Sequence, residues 1–438
     1  MGDSGDGGSS DSLRRELGLV GATMMGLGSI VGTGIFVSVG VAAGAAGPAV
    51  VLAVVLAAGV ATCNAFSSAQ LAAVHPVSGG TYEYGYEFLH PAAGFTAGWM
   101  FLCAKSASAA TAALGFAGYL LHLLGIDAAR WLAVVAVGGV VVLTAVVLAG
   151  MRRSNVANIA IVSVTLLALV ALVAVGAAQL AEAGTGNFRP FFDAPGDGTW
   201  TDLRGLLYGT ALMFVAYTGY GRVATLAEEV KEPARTIPRA IIATLVVTAA
   251  LYVAVSAVAV GTVGADALDA ATEGQAAPLE LVAQRLTTPG LGTLVAVGAV
   301  TAMLGVMLNL ILGLSRVMLA MGRRGDLPEV TATLDPDGTT PRVAVLVTGG
   351  LIASLAAIGD VETTWSFSAF TVLVYYALTN LAALRLAPEQ RLFSRFYPRA
   401  GLVGCLFLAF WVKPAVWLTG LGLIAVGLLW HGVRRRRR

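Results

Sequence analysis

The sequence predicts an all-α polytopic membrane protein with about 12 transmembrane helices. Three observations carry that prediction. Hydrophobic residues make up 57% of the 438 and charged residues only 12%, so a soluble fold would leave large apolar patches in water. Apolar runs recur along the chain at roughly the ~20 residues a helix needs to cross the hydrocarbon core. The arginines and lysines collect in short clusters between those runs.

The runs are 17–44, 48–73, 92–124, 130–149, 154–179, 203–227, 238–264, 289–321, 341–359, 363–386, 399–412 and 414–432. In lipid each must satisfy its backbone groups internally, which selects helices. An even number puts both ends on one side. That side, counting the tail, the even-to-odd loops and the far end, holds 19 basic residues: Arg14, Arg15, Arg152, Arg153, Lys231, Arg235, Arg239, Arg323, Arg324, Arg342, Arg385, Arg391, Arg395, Arg399 and the run from Arg434 to Arg438. The other face holds five: Arg130, Arg189, Arg204, Arg285 and Lys413. The bias expects both termini in the cytoplasm of a prokaryote, with the chain in its plasma membrane.

Residues 1–16, rich in Gly, Ser and Asp, read as a disordered cytoplasmic tail, and 433–438 as a basic cytoplasmic tail. The arginine run serves as a positive-inside stop with some attraction to anionic lipid. A formal charge of +2 gives no reason to expect a nucleic-acid partner. Cys63, Cys103 and Cys405 each lie in an apolar stretch, so neither a disulfide framework nor a metal site is expected.

The first span contains GLGSIVGTGIF, residues 26–36, in which four glycines and two hydroxyl residues interrupt the apolar run. A break there frees backbone groups that must face a cavity, and amides opening a second half-helix near Gly32 to Gly34 would attract a carboxylate. The competing reading is a small-residue packing face, since Gly28 and Gly32 lie four apart. The sixth span repeats the pattern with FVAYTGYG, residues 214–221. Two glycine-broken helices, each opening a five-span unit, match an inverted-repeat carrier with its substrate between discontinuous helices 1 and 6. The two units are 17–179 and 203–386, with 399–432 as two peripheral helices.

At these residues the chain resembles the amino acid-polyamine-organocation superfamily of permeases. The family's GxIIGTGIF is matched by Gly28 to Phe36, and its FFAYxGFE…AEExKNPxRxIPRAI by Phe214 to Tyr220 and Ala227 to Ala240. HPVSGGTYEYG at 75–85 and SRVMLAMGRRGDLP at 315–328 are similar to two further family elements. The resemblance implies a leucine-transporter-like 5+5 fold and secondary active transport of amino acids by alternating access. It places the substrate carboxylate at Gly32, Thr33 and Gly34 and the ammonium at carbonyls of Ile30, Val215, Ala216 and Thr218. Tyr217 would lie beside the site, and Tyr220, Glu228 and Glu229 would serve as gates.

Two departures matter. Gly221 stands where several arginine and polyamine carriers of the family hold a glutamate, which favours neutral amino acids and leaves a cationic carrier or exchanger as the alternative. The fifth span has no lysine, offering Ser163, Val164 and Thr165 instead. Only Lys105 lies deep within a span, beside the small residues SASAATAALG, and a charged amine at that depth must face the bundle interior. It is read either as a titrating or charge-compensating group or as a structural lysine. Coupling is by H+ or Na+, a sodium ion using carbonyls of Gly28 and Val31 and a hydroxyl such as Thr301. No other cofactor is expected. No catalytic constellation is present, so an enzyme is not expected; a non-transporting sensor of the same fold would share this sequence pattern. The sequence sets no oligomeric state.

Overall fold

The computed structural model describes residues 18–75, 79–150, 155–193, 199–221, 230–335 and 340–436. The predicted tail at 1–16 lies outside them. Among the described residues every regular element is helical. The first span is three pieces: α1 (Leu19–Ile30), α2 (Thr33–Phe36) and α3 (Ser38–Ala46). There follow α4 (Val50–Val74), α5 (Thr81–Phe88), α6 (Pro91–Leu123), α7 (Ala128–Leu148), α8 (Asn155–Ala183) and α9 (Thr199–Tyr217), which runs into a 3₁₀ turn at Thr218–Tyr220. The remainder is α10 (Pro233–Val263), α11 (Ala265–Gln275), α12 (Pro278–Arg285), α13 (Leu291–Arg324), α14 (Arg342–Ile358), α15 (Val361–Leu384), α16 (Phe396–Ala409) and α17 (Pro414–Arg436).

Among the described residues, eight stretches are helical, long and apolar enough to cross a membrane, the longest being Ser38–Val74 and Leu291–Arg324. Leu19–Ile30, Arg342–Ile358 and Phe396–Ala409 are shorter apolar helices. Both interruptions are narrower than the sequence motifs suggest. Gly28 to Ile30 remain helical, and the Val31 amide still closes on the Leu27 carbonyl at 2.8 Å, so Val31 and Gly32 leave the helix, with a second, one-residue break at Val37. Phe214 to Tyr217, in the second motif, also stay helical. Their side chains are fully or almost fully buried, and the unwinding falls instead on the glycine-containing Thr218–Tyr220. The basic end is not a tail from 433: α17 continues to Arg436, because arginine is a good helix former and cations suit the negative end of the helix dipole.

The chain caps its own helices. Asp360 Oδ1 accepts the Thr363 amide at 2.7 Å at the start of α15, and α13 stops where Gly325 takes a left-handed φ of 78°. Burial sorts the helices into layers. The most apolar window of α6 is 83% buried and that of α17 only 17%, so α6 is the central post and α17 lies at the periphery. The Ala/Ser-rich face of α6 brings α13 and α15 close. Hydroxyl pairs stitch α6 to α15, with Ser108 to Ser368 at 2.7 Å and Thr111 to Thr364 at 2.8 Å. Asn64, Ser67, Asn380 and Cys405 form a second buried polar cluster joining α4, α15 and α16. The cysteines are unpaired, as the sequence indicated.

Residues 265–288, unassigned by the apolar pattern, form the connecting helices α11 and α12. Tyr119 of α6 ties them to the first interruption: its hydroxyl donates to the Phe36 carbonyl at 2.7 Å and accepts the Leu279 amide at 3.1 Å. Beside it Glu280 lies 3.4 Å from His122, and burial pushes its carboxyl up to about 7 from an ordinary 4.5. The folded protein thus binds this proton more tightly than the unfolded chain does. Stability from this group is full below pH 4.5 and is lost as pH rises through about 7. The thermal unfolding midpoint of the detergent-purified protein should fall between about pH 5 and 8. Glu280→Gln should flatten that fall and be the more stable form at the alkaline end; an unchanged slope in the variant would assign it to other groups.

Candidate functional site

The two interruptions meet. A Cβ on Gly34 would lie 2.7 Å from Ala216 Cα, and one on Gly219 would sit on the Ser29 carbonyl group. Neither glycine can carry a side chain while the broken segments touch in this way. Around the contact is a small cavity of about 40 Å³, lined by Ser29, Ile30, Thr33, Gly34, Lys105, Ser108, Val215, Ala216, Thr218, Gly219, Val306, Leu310 and Trp365. As it stands this is room for water molecules, so an amino acid requires the walls to part.

Seven residues expected at a site therefore converge on one cavity: Ile30, Thr33, Gly34, Lys105, Val215, Ala216 and Thr218. The amine of Lys105 donates to Thr218 Oγ1 at 2.9 Å, which in turn donates to the Val215 carbonyl at 2.8 Å. The ammonium thus sits where α9 ends, at the negative end of its dipole, which offsets part of the cost of a buried charge. Among the cavity-lining residues Lys105 is the single charged side chain. Thr33 is 4% exposed, and its hydroxyl has no hydrogen-bond partner. An unpaired buried hydroxyl costs about 1–3 kcal/mol, which any partner in the adjoining cavity would offset.

The four carbonyls expected to hold an ammonium are already engaged by protein hydroxyls. Tyr252 donates to the Ile30 carbonyl at 2.8 Å and lies 3.4 Å from that of Ala216, while Tyr376 donates to the Thr218 carbonyl at 3.1 Å. Each carbonyl keeps a second lone pair. Sequence inspection missed Tyr252 and Tyr376, as well as Trp365, whose indole donates to the Leu212 carbonyl at 2.9 Å. They come from α10 and α15, with no local motif to mark them. Ser29 and Gly219 were also missed, although both stand inside the quoted glycine motifs.

Other expected residues lie around the cavity rather than on it. Gly32 backs onto Val306, with room for no Cβ beyond 2.8 Å from Val306 Cγ2. Tyr217 donates to the Val54 carbonyl at 3.3 Å and packs on Tyr252, and fully buried Tyr220 packs on Tyr376. Gly28 faces Asn158 of α8, whose amide donates to the Met24 carbonyl at 3.2 Å and whose Oδ1 has no partner. Val31 is buried at the end of α1. Of the hydroxyls considered for an ion, Ser163 is exposed, Thr165 donates to the Ile161 carbonyl at 2.8 Å, and Thr301 donates to the Val297 carbonyl at 2.8 Å within its own helix. Glu228 and Glu229 lie outside the described residues.

A helical membrane bundle whose two interrupted helices enclose a small, amine-bearing cavity suits a membrane transporter. The chain belongs to the amino acid permease family, whose model matches residues 21–431. It is 42% identical over 429 residues to an uncharacterised transporter of Mycobacterium tuberculosis, covering 97% of this chain and 92% of that one. It is 30% identical over 444 residues to a branched-chain amino acid permease of Bacillus subtilis, covering 94% and 92%. It is 31% identical over 400 residues to cationic amino acid transporter 4 of mouse, covering 85% of this chain and 60% of that one. The chain is a multi-pass membrane transporter and not an enzyme.

The orphan hydroxyl supplies a test that separates binding from folding. Thr33→Val keeps the shape and removes the unsatisfied group, so the unfolding midpoint should stay level or rise while substrate affinity falls about tenfold or more. Scintillation-proximity binding and thermal unfolding of the same preparation read the two effects. A less stable variant with unchanged affinity would show that the hydroxyl serves the fold alone.

Proposed function

We propose that this protein is a proton-coupled symporter of neutral amino acids with small or branched apolar side chains. In this reading the chain crosses a bacterial plasma membrane 12 times, with both termini cytoplasmic and the units 17–179 and 203–386 related as inverted repeats. The observation that carries the reading is the cavity wall among the described residues: one cation, Lys105, no carboxylate, the hydroxyls of Ser29, Thr33, Ser108 and Thr218, and the apolar Val215, Ala216, Val306, Leu310 and Trp365. A cationic side chain would meet a like charge with no partner. A zwitterion finds a complement at each end: Lys105, the Thr33 hydroxyl and the amides opening α2 for its carboxylate, and the second lone pairs of the Ile30 and Ala216 carbonyls for its ammonium. The branched-chain permease among the relatives supports the same substrate class, whereas the cationic transporter among them supports the alternative.

The coupling ion follows from what each candidate group is free to do. The hydroxyls of Thr165 and Thr301 donate to carbonyls of their own helices and keep their oxygen lone pairs, and Ser163 is exposed, so the preference for a proton rests on Lys105 rather than on these groups. Lys105 is a titratable group on the substrate cavity, bonded to the interrupted helix that moves in alternating access. Proton loss removes the charge from the Lys105–Thr218 contact and with it the attraction to the end of α9, which loosens the hold on that helix. The substrate carboxylate is drawn to the protonated form, which couples substrate to proton.

Proteoliposome uptake tests both parts. An imposed inward proton gradient should concentrate labelled leucine, isoleucine or valine, a sodium gradient of equal size should not, and arginine and lysine should be poor competitors. Arginine accumulation without leucine accumulation would support the cationic reading, and binding without accumulation would support a sensor. Lys105→Ala should lose most gradient-driven uptake and flatten its pH dependence. Lys105→Arg keeps charge without easy deprotonation and should retain binding while losing coupled turnover. If both variants transport like the parent at every pH, Lys105 is a structural lysine.

A further inference from the structure

A second cavity, about 230 Å³, lies remote from the first in sequence and composition, between the ends of α13 and α17 and the α5–α6 connection. Its wall holds Arg324, Arg434, Arg435, Asp326, His431 and Tyr86. Three guanidiniums against one carboxylate make it strongly cationic. The carboxylate is moreover fully used: Asp326 Oδ2 accepts the hydroxyls of Tyr82 at 2.8 Å and Tyr86 at 2.7 Å, and Oδ1 faces His431 Nδ1 at 3.2 Å. The Trp430 indole donates to the Asp326 carbonyl at 2.8 Å, so the loop after α13 holds the end of α17 by two neighbouring residues.

His431 is the informative side chain. It is 6% exposed, stacked on Phe95 at 4.7 Å, and bonded through Nδ1, yet its Nε2 is buried with no hydrogen-bond partner. Asp326 fixes Nδ1 as the protonated nitrogen, so Nε2 either carries a bare lone pair or, in the imidazolium, an N–H that needs an acceptor. The cavity beside it offers guanidiniums, which only donate. A tetrahedral oxyanion answers the second case, the imidazolium. It supplies an acceptor to Nε2–H and several oxygens to the forked donors of Arg434 and Arg435. Arg324, paired with Glu83 and lying 4.0 Å over the Tyr86 ring, forms the rigid far wall.

We infer that this cavity binds a phosphate group, either the head group of an anionic lipid or a free phosphate, bridging peripheral α17 to the core through His431, Arg434 and Arg435. Only 17% of the α17 apolar window is buried, so a ligand that ties its basic end to α13 adds holding force where the helix has little packing of its own.

The test uses the full chain purified in a neutral detergent, with thermal unfolding read against added phosphatidylglycerol, against phosphatidylcholine, and against inorganic phosphate with chloride balancing the ionic strength. Phosphatidylglycerol should raise the midpoint by several degrees and phosphatidylcholine should not. The rise should vanish in Arg434→Gln/Arg435→Gln and persist in Arg395→Gln/Arg399→Gln, which removes equal charge at exposed positions elsewhere. Native mass spectrometry of the parent, counting retained phosphatidylglycerol with and without competing phosphate, gives a reading that does not depend on any variant folding. A rise with inorganic phosphate as well assigns the site to the phosphate group itself, and a rise with phosphatidylglycerol alone assigns it to the lipid. No rise and no retained lipid in the parent, or an equal rise in Arg434→Gln/Arg435→Gln, would overturn the inference.

Discussion

The close approach of two interrupted helices without side chains between them is the constraint on which the site rests. Gly34 against Ala216, and Gly219 against the Ser29 carbonyl, bring backbone flanking one break onto backbone flanking the other. Backbone freed from a helix inside a membrane is tolerated only where protein or a water-filled cavity satisfies it. Here Tyr252 satisfies the Ile30 carbonyl and Tyr376 the Thr218 carbonyl. The tyrosine hydroxyls make the breaks affordable, and the glycines make them touch.

Around that contact the protein balances a buried cation without an anion. Lys105 is held by a hydroxyl and by the dipole of α9, each a partial charge, rather than by a carboxylate. An ion pair would have been the more rigid arrangement, since breaking a buried pair leaves an uncompensated charge at a cost of several kcal/mol. A cation held by weaker dipoles can change partner or lose its proton during a cycle. The rest of the bundle is stiff by comparison, with α6 cross-linked to α15 by two hydroxyl pairs and to the α2 break by Tyr119. Motion at the site can therefore be confined to the interrupted segments.

The peripheral end of the molecule follows a different logic. There the charges are many, and polar contacts around Asp326 hold the end of α17 beyond its close packing at Gly420 and Gly427 on Phe370, Phe95 and Trp99.

Composition and apolar spacing determined that this chain is a helical membrane protein, because lipid leaves a backbone no other open-chain solution. The glycine motifs at 26–36 and 214–221 located the broken helices, since glycine marks its own use in local sequence. They overstated the breaks: Gly28 to Ile30 and Phe214 to Tyr217 keep their helical bonds because their own turns can still close, and no spacing rule shows that in advance. Lys105 was legible as an inward amine from its burial cost alone, but its partner, Thr218, lies 113 residues away. Tertiary packing decided that Thr33 lies buried without a partner and that Ser163 turns outward, whereas Thr165 and Thr301 bond to carbonyls one turn back in their own helices. It alone brought Trp365 to the cavity, Tyr252 and Tyr376 to the carbonyls of Ile30 and Thr218, and Asp326 to His431, because a hydrogen bond between distant segments leaves no period and no motif in the chain.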